Sequence, residues 1–161
     1  MMKLIQLNRF QIESLSQHAT NSRDVIFVEG SVPPIHVLNR SLYLCHNAAE
    51  ELWALPYFMQ KASHIIGCCG FKGVPKNTRI EIGYNVAPDA RGLGAATFAV
   101  QQLSQIAFDS GLVKTVVALI SSDNKASLSV VRKNGFSYKE LIIDEEGEEL
   151  ELWQLDIMLE A

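Results

Sequence analysis

Residues 84–97, Tyr-Asn-Val-Ala-Pro-Asp-Ala-Arg-Gly-Leu-Gly-Ala-Ala-Thr, constrain the fold more than any other stretch of this chain. They lead an apolar strand into a proline turn, and then into a glycine-bearing loop that opens directly on an amphipathic helix. A helix start presents backbone N–H groups without intrahelical partners at the positive end of the helix dipole, so it readily holds a phosphate or pyrophosphate. Gly92 and Gly94 let the backbone approach such an anion with no Cβ in the way. Arg91, just before the turn, is placed to add a charge-assisted fork to phosphate oxygens. The alternative is a well-started surface helix, but an ordinary helix start does not require the pattern Arg-x-x-Gly-x-Ala.

The flanking residues support a strand and a helix on either side of this loop. Over residues 78–86, Ile80, Ile82, Tyr84 and Val86 share one face of a strand, and Arg79, Glu81, Gly83 and Asn85 share the other. From Gly94 the spacing of Ala96, Ala99, Val100, Leu103, Ile106 and Ala107 predicts a helix that Gly111 ends. Residues 113–120 form an almost continuous apolar run, as expected for a strand covered on both faces. Ser121-Ser122-Asp123-Asn124 supplies N-cap residues for a helix to Lys133, and Asn134-Gly135 terminates it. Residues 136–143 and 149–158 predict a closing strand pair around the acidic turn Asp144-Glu145-Glu146-Gly147-Glu148. Upstream, the pattern predicts a strand over 3–7, a helix over 9–19, an irregular segment over 21–34 and a helix over 35–48 started by Pro33-Pro34. Residues 52–59 and 64–71 then predict paired strands around Gln60-Lys61-Ala62-Ser63. This order describes a mixed α/β or α+β domain.

At 161 residues the chain is most simply one domain, residues 1–161, long enough to bury a sizeable core. Its net charge of −4 argues against a general nucleic-acid binder, which carries a basic surplus. No apolar run reaches bilayer length and the first residues lack a secretory apolar region, so no membrane association and a cytoplasmic location are expected. Cys45, Cys68 and Cys69 make no even disulfide framework. Cys68 and Cys69 are adjacent in a strand and point to opposite faces, as packing residues do. Cys45-His46 has no partner pair at zinc-like spacing, and His18, His36 and His64 are scattered; no metal is expected.

Three kinds of glycine loop compete for residues 91–97. A P-loop requires Gly-Lys-Ser/Thr, yet Gly94 is followed by Ala95-Ala96, so no lysine reaches a terminal phosphate. A dinucleotide fingerprint requires a third glycine, where Thr97 stands, and an acidic residue near the end of the next strand, which 113–120 lacks. The third kind fits at several places. Arg91-Gly92-Leu93-Gly94-Ala95-Ala96 resembles the Arg/Gln-x-x-Gly-x-Gly/Ala signature of the GNAT superfamily of acetyl-CoA-dependent N-acetyltransferases. Val86-Ala87-Pro88 is similar to that family's strand exit, and Asn124-Lys125-Ala126-Ser127 with Lys133-Asn134-Gly135-Phe136 resembles its second motif. Glu81-Ile82-Gly83-Tyr84, Trp53 and the strand Ile65-Ile66-Gly67-Cys68-Cys69-Gly70-Phe71 look most like the branch of ribosomal-protein N-terminal acetyltransferases. The resemblance covers about residues 50–140.

The resemblance implies a GNAT-like α+β fold: a central, mostly antiparallel sheet of about seven strands, flanked by helices. It also implies that the strand carrying Glu81 splays from the strand over 113–120 to leave a V-shaped cleft. The pantetheine arm of acetyl-CoA would then bond backbone groups around Val86. Its pyrophosphate would sit on the N–H groups of Leu93, Gly94, Ala95, Ala96 and Thr97, with Asn124 and Ser127 on the other wall. The implied activity is direct transfer of an acetyl group to a primary amine, either on a small molecule or at a protein N-terminus. A different class of reading, a non-catalytic acyl-CoA sensor, stays open, as does a homodimer.

The chemistry asks for a base, because a primary amine is mostly protonated at neutral pH. Glu81 matches a position used as the base in part of the family; an ion pair on the sheet face is the equal alternative. A backbone N–H near Val86 is the expected donor to the tetrahedral oxyanion. The family's usual general acid is a tyrosine seven residues after the motif asparagine, a position held here by Val131. The turn over 144–151 is best explained as a solvated hairpin tip whose charges discourage edge pairing, with steering of a cationic amine as the second explanation. Trp53 and Trp153 are expected to be packing residues.

Overall fold

The computed structural model describes residues 1–17 and 25–158. Strand β1 (Met2–Gln6) passes into helix α1 (Arg9–Ser16) through a capping box. The Asn8 side chain accepts from the Gln11 N–H at 2.8 Å and the Gln11 side chain accepts from the Asn8 N–H at 2.8 Å. The expected extension of this helix to Ala19, and His18 with it, lie outside the described residues. Within the segment expected to be irregular, Ile26–Phe27 forms a two-residue strand, β2, and Pro34 caps α2 (Ile35–His46).

The next element differs from expectation. Residues 52–54 are not strand: α3 (Glu51–Ala54) is a single helical turn, with Trp53 N–H and Ala54 N–H donating to Glu50 O at 3.0 Å. Trp53 and Ala54 are buried as a strand's residues would be, and a short apolar run does not by itself distinguish a buried turn of helix from a strand. Pro56 stops the turn, and β3 (Tyr57–Lys61) starts at Tyr57 and runs two residues further than expected. β4 (His64–Phe71) follows, with Cys68 and Cys69 both buried and unbonded to each other.

The remaining elements are β5 (Arg79–Val86), a 3-10 turn (Pro88–Ala90), α4 (Ala95–Asp109), β6 (Thr115–Ser121), α5 (Lys125–Lys133), β7 (Ser137–Ile143) and β8 (Glu149–Asp156). Among the described residues the strand order is β1-β3-β4-β5-β6-β8-β7 with β2 on β4, eight strands where about seven were expected, the short β2 being among them. Pairing is antiparallel in β1–β3, β3–β4, β6–β8 and β7–β8, and parallel in β5–β6 and β2–β4.

Two compact units share β5: Met1–Val74 with Gly83–Ala95, and Pro75–Ile82 with Ala96–Ala161. In the first, Leu7, Ile12, Leu15, Leu38, Leu55, Phe58, Ile65 and Cys68 form the core. Phe27 meets Phe58 edge-on at 5.9 Å, and Trp53 meets Phe71 at 4.9 Å. β4 approaches the end of β5 so closely that a Cβ on Gly67 would stand 2.6 Å from Asn85 O. In the second unit β6 is the buried strand, with β8 paired along its whole length from Thr115–Asp156 to Ser121–Leu150. Ala99, Val100, Leu103 and Ala107 of α4 and Leu128 and Val131 of α5 are buried in that unit. The β5–β6 ladder comprises Arg79–Thr115, Ile80–Val116 and Glu81–Val117.

Candidate active site

In the first unit the site begins where β5 ends. Val86 and Ala87 are buried, whereas Pro88 and Asp89 are exposed. The Ala87 N–H donates to Ile66 O of β4 at 2.8 Å, and the Ala90 N–H donates to Ala87 O at 2.9 Å to close the 3-10 turn. A neighbouring loop docks on this exit. Asn85 Nδ2 donates to Gly30 O at 3.2 Å, and a Cβ on Gly30 would stand 2.8 Å from Pro88 Cδ. Arg91 Nε donates to Val86 O at 3.1 Å. Part of the guanidinium expected to fork onto phosphate is therefore occupied by the protein, while its two terminal nitrogens have no protein partner among the described residues.

Gly92 and Gly94 both adopt φ of +81°, the left-handed region that L side chains avoid, and Leu93 between them is 60% exposed. A Cβ at either glycine would meet nothing within 4 Å, so glycine here serves backbone conformation and an open face, not tight packing. The loop leads straight into Ala95, the first residue of α4. The early N–H groups of a helix lack intrahelical acceptors, and alternating hands of backbone just before them build a concave nest for an anion. The donor set suits a pyrophosphate: backbone N–H groups, a helix start and an adjacent guanidinium.

In the second unit Asn124 caps α5, its Oδ1 accepting from the Ser127 N–H at 3.1 Å. Asn124 is exposed and Ser127 half-buried. Asn134 does more than end the helix, because its Nδ2 donates both to Val130 O at 2.9 Å and to Thr97 O in the first turn of α4 at 3.2 Å. Sequence reasoning saw only the terminator; Asn before Gly is the local signal, and the second bond depends on residues far apart in the chain.

Glu81 is half-buried and lies in one cross-strand row with Val117, Gln154 and Ser137. Arg79, two residues away on the same face, directs both terminal nitrogens to Gln154 Oε1 at 3.4 Å. Gln154 Nε2 and Thr115 Oγ1 both donate to Asp156 Oδ1 at 2.9 Å. These two bonds, Gln154 first, hold the Asp156 carboxyl below its usual range. Val131 is 0% exposed, so the position of the family's tyrosine is turned into the core. The acidic turn is organised from within: Asp144 Oδ1 accepts from the N–H groups of Glu146 and Glu148, both at 2.9 Å. Trp153 is buried against Tyr138 at 5.9 Å with the Arg132 guanidinium over its ring at 5.2 Å, and Trp53 is buried in the other unit, so both tryptophans are packing residues. Among the described residues no group of three or more His, Cys, Asp or Glu is placed to hold a metal ion, and no helix is long and apolar enough to cross a membrane.

Comparison with known proteins bears on this arrangement. The model of the acetyltransferase (GNAT) domain family matches residues 21–137, which includes parts of both units. A curated relative, the uncharacterized N-acetyltransferase p20 of Bacillus licheniformis, is 30% identical over 89 residues, 55% of this chain and 50% of the relative. The match thus spans half the length of that relative. Among solved structures, the microcin C7 self-immunity acetyltransferase MccE in complex with acetyl-CoA and AMP is similar at a TM-score of 0.71 and 22% identity, over 97% of this chain and 92% of its own. The putative acetyltransferase yncA from Salmonella typhimurium, with acetyl-CoA, is similar at 0.69 and 17% identity, over 99% and 96%. The ribosomal L7/L12 alpha-N-protein acetyltransferase RimL, in complex with coenzyme A, is similar at 0.71 and 18% identity, over 97% and 94%. At these identities the structures share the fold.

Proposed function

The chain belongs to the GNAT acetyltransferase family, and from that premise we propose that it transfers an acetyl group directly from acetyl-CoA to a primary amine. The observation that carries this reading is the pair of left-handed glycines, Gly92 and Gly94, open to solvent and running into α4. In this reading the N–H groups of Leu93, Gly94, Ala95, Ala96 and Thr97 hold the pyrophosphate, and the free nitrogens of Arg91 add charge. Backbone groups of Val86 align the pantetheine arm, and Asn124 and Ser127 contribute from the start of α5. The whole chain acts as one acetyltransferase domain of the cytoplasm.

Glu81 takes the proton from the amine, directly or through a water, as the nitrogen attacks the thioester carbonyl. The C–S bond breaks, the acetyl group stays on nitrogen, the nitrogen's second proton passes to solvent water and the thiolate leaves. Val131, at the position of the family's tyrosine, offers that thiolate no proton, because it is apolar and buried. A covalent acetyl-cysteine route is disfavoured. Burial pushes the Cys68 thiol up to about 12, and burial with the neighbouring Cys68 pushes Cys69 well above its ordinary value. The acceptor class is a primary amine, on a small molecule or at a protein N-terminus.

The buried Val131 also favours a second reading, a non-catalytic acyl-CoA sensor. Free-thiol release from acetyl-CoA across a panel of amines and N-terminal peptides separates the two. Release with any acceptor supports the transferase, CoA binding without release supports the sensor, and no CoA binding removes both.

A further inference from the structure

We propose that Arg91 is a positioning residue that fixes the strand exit and the glycine loop relative to each other through Nε, beyond any charge it lends to phosphate. The Val86–Ala87 peptide unit is pinned at both ends. Its N–H donates to Ile66 O of β4 at 2.8 Å, and its C=O accepts from Arg91 Nε at 3.1 Å. The first bond anchors the peptide plane to the sheet, and the second ties that plane to the residue immediately before Gly92. Between the two, the 3-10 turn is closed by Ala90 N–H to Ala87 O, and Ala87 is 0% exposed. The loop that follows has nothing of this kind: Gly92 and Gly94 have open space where side chains would pack, and Leu93 is exposed. Glycine lowers the cost of the left-handed backbone but also raises the entropy of the unconstrained loop. At Arg91, where the loop starts, the backbone N–H reaches Pro88 O only at 3.4 Å, so the 3.1 Å side-chain bond is the shorter of the two restraints on where the loop's N–H groups point.

Because the pinned peptide carries the Val86 carbonyl, one guanidinium sets the geometry of both segments that the proposed reaction needs. The role rests on the proposed acetyl-CoA site for its purpose, though the bond itself does not. Nε of arginine and Nε2 of glutamine sit the same number of bonds from the backbone, so the Arg91→Gln substitution keeps an N–H donor at the same place and removes the charge. Lysine keeps the charge and moves the donor one atom further out. Charge and donor placement can therefore be separated at this position.

The test compares Arg91→Ala, Arg91→Gln and Arg91→Lys with the unmodified protein. In the coenzyme-free protein, amide hydrogen exchange over residues 87–94 should rise about tenfold in Arg91→Ala and Arg91→Lys and stay near the starting rate in Arg91→Gln, as expected for loss of one hydrogen bond from a charged donor. Turnover is then measured with acetyl-CoA and with S-acetylpantetheine, which carries no phosphate. A positioning role lowers kcat/KM of Arg91→Ala with both donors, further with acetyl-CoA because the charge on phosphate is lost as well, and Arg91→Gln restores most of the loss seen with S-acetylpantetheine. The proposal is overturned if exchange is unchanged in Arg91→Ala, if Arg91→Lys rescues turnover of S-acetylpantetheine and Arg91→Gln does not, or if the loss appears with acetyl-CoA alone. If the unmodified protein turns over neither donor, the transferase reading falls while the exchange measurement still decides the role of Arg91.

Discussion

At the scale of single residues, the face of β5 that carries Glu81 is organised by its polar neighbours. Arg79 is directed to Gln154, and Gln154 and Thr115 both converge on Asp156. Glu81→Gln keeps the shape and removes the basic oxygen. Turnover should fall by about 100-fold, most deeply toward lower pH where proton removal limits, with CoA affinity unchanged; turnover untouched across the pH range would leave Glu81 a structural residue. The buried thiols make a second residue-scale prediction. Cys68 is raised from 9.0 to about 12 by desolvation, so the folded state keeps a proton that the unfolded state releases first. That contribution to stability is complete below about pH 9 and is lost as pH rises toward about 12. Urea midpoints should therefore drop across that window, and the drop should shrink when Cys68 and Cys69 are both replaced by alanine. In the folded protein at neutral pH, thiol reagents should label Cys45, the half-buried cysteine, ahead of the other two.

At the scale of elements, the strand carrying the candidate base and the helix starts were legible because their signals are local. The alternation over residues 78–86 places Ile80, Ile82 and Val86 in the core as expected, Gly111 ends α4 with φ of +77°, and Asn124 caps α5. What was not legible depends on neighbours distant in sequence. Gly67 looked like one small residue in an apolar strand, yet a Cβ there would stand 2.6 Å from Asn85 O, 2.9 Å from Met59 Sδ and 3.1 Å from Val86 Cα. Two of these are backbone atoms that cannot rotate away. Gly67→Ala should therefore destabilise the protein by about 3 kcal/mol or more, read from urea unfolding, as overpacking of a core does. Asn134→Ala removes the bonds to Thr97 O and Val130 O and should cost about 1–2 kcal/mol. If the start of α4 holds the pyrophosphate, the same change also weakens CoA binding; unchanged affinity would separate that bond from the site.

At the scale of the whole molecule, the proposed function makes a thermodynamic prediction that needs no knowledge of the acceptor. A ligand specific for the folded state, present at about 100 times its Kd, adds about 2.7 kcal/mol. For a chain of this size that raises the melting temperature by about 5–10 °C. Differential scanning fluorimetry with CoA reads it directly, and no shift at millimolar CoA would refute the proposed binding. The glycine loop, its order between an alternating strand and an amphipathic helix, and the exclusion of a P-loop were all determined by the sequence, because backbone hand, helix starts and missing side chains are properties of consecutive residues. Tertiary structure alone decided that Arg91 spends its Nε on Val86, that Asn134 reaches Thr97, that residues 51–54 turn as a helix and that Val131 faces the core. A side chain's partner is set by which distant backbone group is brought within about 3 Å of it, and no local pattern encodes that distance.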